Sequence, residues 1–105
     1  MTVKSLKPIS DDQLLIQVKI NLNINGTQFD NQLQNYIDDV KGYLRSAGVS
    51  STSDCDVVGS TLAVGVISRG VADLWNYGNG DTQLSPYFYE RADQLRDIKV
   101  EVIDE

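Results

Sequence analysis

The stretch from Asp54 to Phe88, DCDVVGSTLAVGVISRGVADLWNYGNGDTQLSPYF, constrains the fold more than any other part of the chain. Apolar residues recur at Val58, Leu62, Val66, Ile67, Val71, Leu74 and Trp75. That is the 3.6-residue spacing of a helix with a broad buried stripe. Asp54 or Asp56 stands where a carboxylate can accept the free amides of the first turn. Tyr77-Gly78 ends the run, because glycine adopts the left-handed cap conformation cheaply. From Val58 to Tyr77 is twenty residues, so the predicted helix is roughly 30 Å long. Everything else must pack around it.

Gly59, Ala63, Val66 and Gly70 fall on one face of that helix, at i, i+4, i+7 and i+11. A glycine inside a helix costs about 1 kcal/mol relative to alanine, so Gly59, Gly65 and Gly70 together need a reason. Two readings are open. Either a neighbouring helix of the same chain approaches closely, or a neighbouring subunit does, and Gly59, Ala63 and Gly70 then line an interface. Ser60, Arg69 and Asp73 interrupt the apolar run, which excludes a membrane dimer motif.

The 105 residues suit one domain. Nine Lys and Arg stand against fifteen Asp and Glu, a net charge of −6 with no histidine. The cations are scattered among acids, whereas duplex binding needs them clustered to neutralise phosphates. An acidic surface instead repels DNA, which suits a smooth channel wall. The single cysteine, Cys55, allows no internal disulfide. The start, MTVKSLKPIS, lacks the apolar core of a signal peptide, and no run reaches the ~18 apolar residues of a spanning helix. A soluble protein that is not secreted by the usual route is expected.

Residues 1–9 read as an N-terminal arm. Ser10 is the N-cap of a first helix over Asp11 to about Asn21, and Gln13 completes a capping box. Leu14, Leu15, Val18 and Leu22 form its apolar stripe. Asp11 and Asp12 sit at the positive end of this helix, as structural rather than catalytic carboxylates. Asn25-Gly26 makes a turn. Thr27 or Asp30 caps a second helix with Leu33, Tyr36, Ile37, Val40, Leu44 and Ala47 on one face. Gly48 closes it, and Gly42 is another candidate for close contact. Gly78, Asn79, Gly80 and Asp81 form a loop without the Gly-x-x-x-x-Gly-Lys pattern that cradles phosphates. Ser85-Pro86 opens a fourth helix to about Arg96, since proline is pre-organised for the first helical position. Phe88, Ala92 and Leu95 face inward. Tyr87 and Tyr89 flank that stripe and are candidates for an interface. In residues 97–105, Ile98, Val100 and Val102 alternate with Lys99, Glu101 and Ile103 as in a strand. With no second strong strand in the sequence, this segment is expected to dock as an extended tail on another chain.

Nothing here supports catalysis: there is no histidine, no cysteine pair, no metal-spaced cluster and no phosphate loop. Serines in the Val49–Ser53 connector have no base to activate them. Cys55, at a predicted helix entrance but flanked by Asp54 and Asp56, is not expected to be reactive. No enzyme, cofactor or metal is expected. The residues alone give a small all-α bundle of about four helices, with a long central helix and an extended C-terminal tail.

GVISRGVADLWNYGNGD followed by LSPYFYERADQLR resembles the small head–tail connector, or adaptor, proteins of long-tailed bacteriophages. Ile67, Gly70, Val71, Ala72, Leu74, Trp75, Tyr77, Gly78 and Gly80 carry the resemblance, then Ser85, Pro86, Tyr87 and Phe88. It covers roughly the last half of the chain. The family resemblance implies a virion structural protein of the neck, made in the host cytoplasm. It implies a homo-oligomeric ring, typically about twelve copies, between the portal protein and a stopper or tail-completion protein. DNA would pass through the ring without specific binding, and no membrane is involved. The loop Gly78–Asp81 would face the channel or a neighbour. The alternative is a small helical regulatory or antitoxin-like module with one tight protein partner.

Overall fold

The computed structural model describes residues 2–3, 6–52, 55–77 and 84–100 of the chain. It is a small all-α bundle of four helices: α1 (Asp11–Leu22), α2 (Asp30–Ser46), α3 (Val64–Tyr77) and α4 (Pro86–Arg96). A 3-10 turn at Thr61–Ala63 runs straight into α3 and lengthens it at its start. A short parallel ribbon joins β1 (Thr2–Val3) to β2 (Lys99–Val100).

Helix α1 starts as its sequence predicts. Ser10 Oγ accepts the Gln13 N–H at 3.1 Å, while Gln13 Oε1 accepts the Ser10 N–H at 3.4 Å. It ends on Asn23 in the left-handed conformation (φ 58°), whose N–H returns to the carbonyls of Ile20 and Lys19. Asparagine tolerates that conformation through its short polar side chain. The expected side-chain cap on α2 is not made. Phe29 occupies the cap position, and the Asp30 N–H turns back to the Thr27 carbonyl at 3.2 Å. Asp30 is the first helical residue, and its carboxylate binds Lys19 Nζ at 2.7 Å, tying α1 to α2. Gly48 (φ 95°) closes α2 in the conformation that glycine alone adopts freely. Gly42 has open space around it and marks no close contact.

The predicted start of the long helix at Val58 is overturned. Val57 and Val58 are buried, but they lie in a turn. Asp56 Oδ1 accepts the Gly59 N–H at 2.9 Å, and Ser60 Oγ caps the 3-10 turn through the Leu62 N–H. The N-terminal segment crosses here as well. The Ile9 N–H donates to the Gly59 carbonyl at 3.1 Å, and the Thr61 N–H to the Lys7 carbonyl at 2.8 Å. Backbone groups that a continuous helix would pair internally are bonded to the arm instead. Helix α3 proper therefore has fourteen residues, roughly 21 Å, against seventeen in α2. It is central, because it packs against α1, α2 and α4, but it is not the longest.

The core is one cluster drawn from all four helices. Leu14 and Val18 of α1, Leu33, Ile37, Val40 and Leu44 of α2, and Val66, Ile67 and Val71 of α3 are buried with Phe88, Ala92 and Leu95 of α4. Lys41 is also buried among them and reaches Asp11 Oδ1 at 3.3 Å.

The C-terminal segment finds the partner that its sequence did not reveal. Thr2 pairs with Lys99 and Val3 with Val100, in parallel, so the N-terminal arm supplies the second strand. Ile98, immediately before β2, belongs to the core.

Candidate functional site

The glycine face divides on inspection. Gly70 is buried, and a Cβ built on it would lie 2.9 Å from Phe88 Cε2 and 2.9 Å from both Val40 methyl carbons. Atoms do not approach that closely, so Gly70 lets α2, α3 and α4 meet, and the close contact is within the chain. Ala63 is fully buried in the same core. Gly59 sits in the turn before the 3-10 segment, where its lack of a side chain admits the Asp56 carboxylate. It shares no helical face with Gly70, because the helix does not extend back to it. Gly65 is exposed with nothing nearby.

Tyr87 and Tyr89 are exposed, at 54% and 41%. The Arg69 guanidinium lies 5.4 Å from the Tyr87 ring centroid, and Arg69 also pairs with Asp73 at 3.6 Å. Asp73 is only 4% exposed, and its Oδ2 accepts the Ser85 N–H at 3.0 Å. Ser85 Oγ in turn caps α4 through the Phe88 N–H at 3.2 Å. The end of α3 thus fixes where α4 begins. Tyr89 meets Tyr43 and Phe88 edge-on, with ring centroids 5.4 Å and 5.8 Å apart. Burial, then the neighbouring Tyr89 and Asp93, push the Tyr43 phenol above its ordinary pKa.

Trp75, which the apolar stripe places on the buried side of the helix, is not fully buried. It is half-buried and meets Phe29 edge-on at 5.1 Å and Tyr36 at 6.5 Å. Phe88 lies instead under Gly70, where Gly70 leaves room for a ring. Ile98 is buried and Val100 lies in β2, so neither belongs to a free tail. Gly78, Asn79, Gly80, Asp81, Asp54 and Val102 lie outside the described residues.

The sequence reading missed two surfaces. One is a ridge on α1, where Ile16 and Ile20 are 55% and 64% exposed beside a hollow under the Asn23–Gly26 turn. The other is a groove of about 360 Å³ between the start of α3 and the end of α4, lined by Leu62, Val66, Leu95 and Ile98 with Arg91. Leu62, predicted for the buried stripe, is 38% exposed at this groove. Ile16 and Ile20 were visible as an i, i+4 apolar pair, but on a helix whose opposite side is apolar too.

Among the described residues no cluster of His, Cys, Asp or Glu side chains could hold a metal ion, and no helix is long and apolar enough to cross a membrane. Cys55 is half-buried, with its N–H bonded to Thr52 Oγ1 at 3.1 Å. The arrangement defines a small helical bundle whose distinctive surface features are apolar and aromatic. No protein-family model, no curated protein and no solved structure matches the chain.

Proposed function

We propose that this chain is a head–tail connector of a long-tailed bacteriophage, assembling as a ring between portal and tail through which DNA passes. The observation that carries the reading is the pattern over residues 65–96. A helix rich in small residues is followed by a glycine-containing loop and a Ser-Pro helix start, which resembles the connector family. In support, Gly70 and the Ser85–Pro86 cap both shape the α3–α4 packing. Tyr87, Tyr89 and the α1 ridge are exposed, as partner-facing residues would be. The net charge of −6 suits a wall past which DNA slides.

The alternative is a small helical regulatory or antitoxin-like module with one protein partner. The compact Ile16–Ile20 ridge favours it, because a single apolar strip is enough for a helix-in-groove contact. Electron microscopy of the purified chain, alone and with its candidate portal, separates the two. Rings of about twelve copies seated on the portal are the expected result. A stable one-to-one complex with an unrelated small protein, and no ring on the portal, would overturn the connector in favour of the module.

A further inference from the structure

The α1 ridge and the α3–α4 groove share no residue and belong to different elements. Ile16 and Ile20 stand one turn apart on the side away from the buried Leu14 and Val18. The groove is floored by Leu62, Val66, Leu95 and Ile98. Ile16, Ile20 and, at the groove's mouth, Leu62 leave apolar surface in water, and a pair of aliphatic side chains is what an open apolar groove accepts.

Charge decides how the two are used. Asp12 lies one turn before Ile16, is exposed, and makes no ion pair among the described residues. The one cation of α1, Lys19, is already held by Asp30. Two α1 ridges packed on each other would therefore bring both Asp12 carboxylates onto helices with no free cation of their own. The groove offers one, since Arg91 is exposed and makes no ion pair among the described residues. Asp97, which also lines the groove, is already engaged.

We propose that the α1 ridge of one copy docks into the α3–α4 groove of the next, with Ile16 and Ile20 entering the groove and Asp12 facing Arg91. The apolar contact supplies the affinity. The rim pair fixes orientation and excludes the ridge-to-ridge alternative. Because the two surfaces differ, the contact is heterologous: every copy uses one surface and offers the other. Such a series closes into a ring or continues as a filament. It rests on the connector reading for its closure alone.

The test uses two variants of the full chain, without portal. Ile16→Lys with Ile20→Lys blocks the ridge, and Leu62→Lys with Arg91→Glu blocks the groove. All four positions are exposed, and helical circular dichroism confirms that both variants fold. Sedimentation velocity up to about 1 mM should show the wild type associating and each variant weakened by roughly tenfold or more. An equimolar mixture of the two variants should form one-to-one dimers, because one keeps the groove and the other keeps the ridge. Asp12→Arg should weaken association, and adding Arg91→Asp should restore it. A wild type that stays monomeric, a mixture that stays monomeric, or a groove variant that associates like the wild type would each overturn the proposal. Normal portal-bound rings from the ridge variant would sink this contact and leave the connector standing. Association as described, with no portal binding, would do the reverse.

Discussion

Gly70 is where three helices meet with no room for even a single methyl group. Alanine would gain about 1 kcal/mol of helix propensity, but its Cβ would fall 2.9 Å from Phe88 and Val40. Overpacking of this kind costs about 1–3 kcal/mol, so Gly70→Ala should lower the urea midpoint and Gly70→Leu should unfold the domain. A midpoint that rises for alanine would show that the helices are free to separate there. Trp75 works differently. Being half-buried between Phe29 and Tyr36, it should cost about 2–3 kcal/mol on truncation to alanine, below the 3–5 kcal/mol of a fully buried ring. Denaturation of Trp75→Ala checks this, and a loss under about 1 kcal/mol would mean the edge-on contacts are not formed. Tyr43 contributes a pH dependence of known sign. Its pKa is raised in the folded chain above the ordinary value of about 10. Its contribution is therefore complete below pH ~10 and is lost as pH climbs from there through the folded pKa, because the unfolded chain releases its proton first. Tyr43→Phe should flatten the fall in stability above pH ~10, measured as urea midpoints; identical slopes would contradict it.

At the scale of elements, local signals were legible and distant ones were not. The capping box at Ser10 and Gln13, the Ser85-Pro86 start of α4 and the stripes of α2 and α4 involve residues a few positions apart, and each formed where the sequence placed it. The break before α3 was hidden, because Val57 and Val58 keep the apolar pattern while the crossing segment from Lys7 to Ile9 captures the backbone. The parallel pairing of Thr2–Val3 with Lys99–Val100 joins opposite ends of the sequence. Two-residue strands have no periodicity to read. The exposed ridge and groove were masked for a related reason: the sequence shows which residues are apolar, and only packing shows which of them stay uncovered. The ribbon makes a direct prediction. Deleting residues 1–3 should lower Tm, and so should deleting residues 99–105. Removing both should cost little more than the larger single loss, since either deletion alone dissolves the pairing. Extending the second deletion to Ile98 should cost more, because that side chain is buried. A melting temperature untouched by removal of residues 98–105 would return the segment to a docking tail.

For the whole molecule, one core serves all four helices, and β1 and β2 are held side by side although they come from opposite ends of the described residues. Topologically that makes the backbone from β1 to β2 nearly a closed loop. A short polar linker from the end of β2 to the start of β1 would complete the circle. A new opening at Asn25-Gly26, exposed and in a turn with φ 81° at Gly26, would cut no helix. The permuted chain should show the same helical circular dichroism and a Tm within a few degrees of the native one; a permutant that fails to fold would mean that the order in which the helices emerge matters. The same pairing of β1 with β2 governs how the protein can be handled. A fusion made directly at β1 or at β2 crowds the same edge of the bundle, while one inserted at Asn25-Gly26 leaves that edge clear and sits instead beside the α1 ridge.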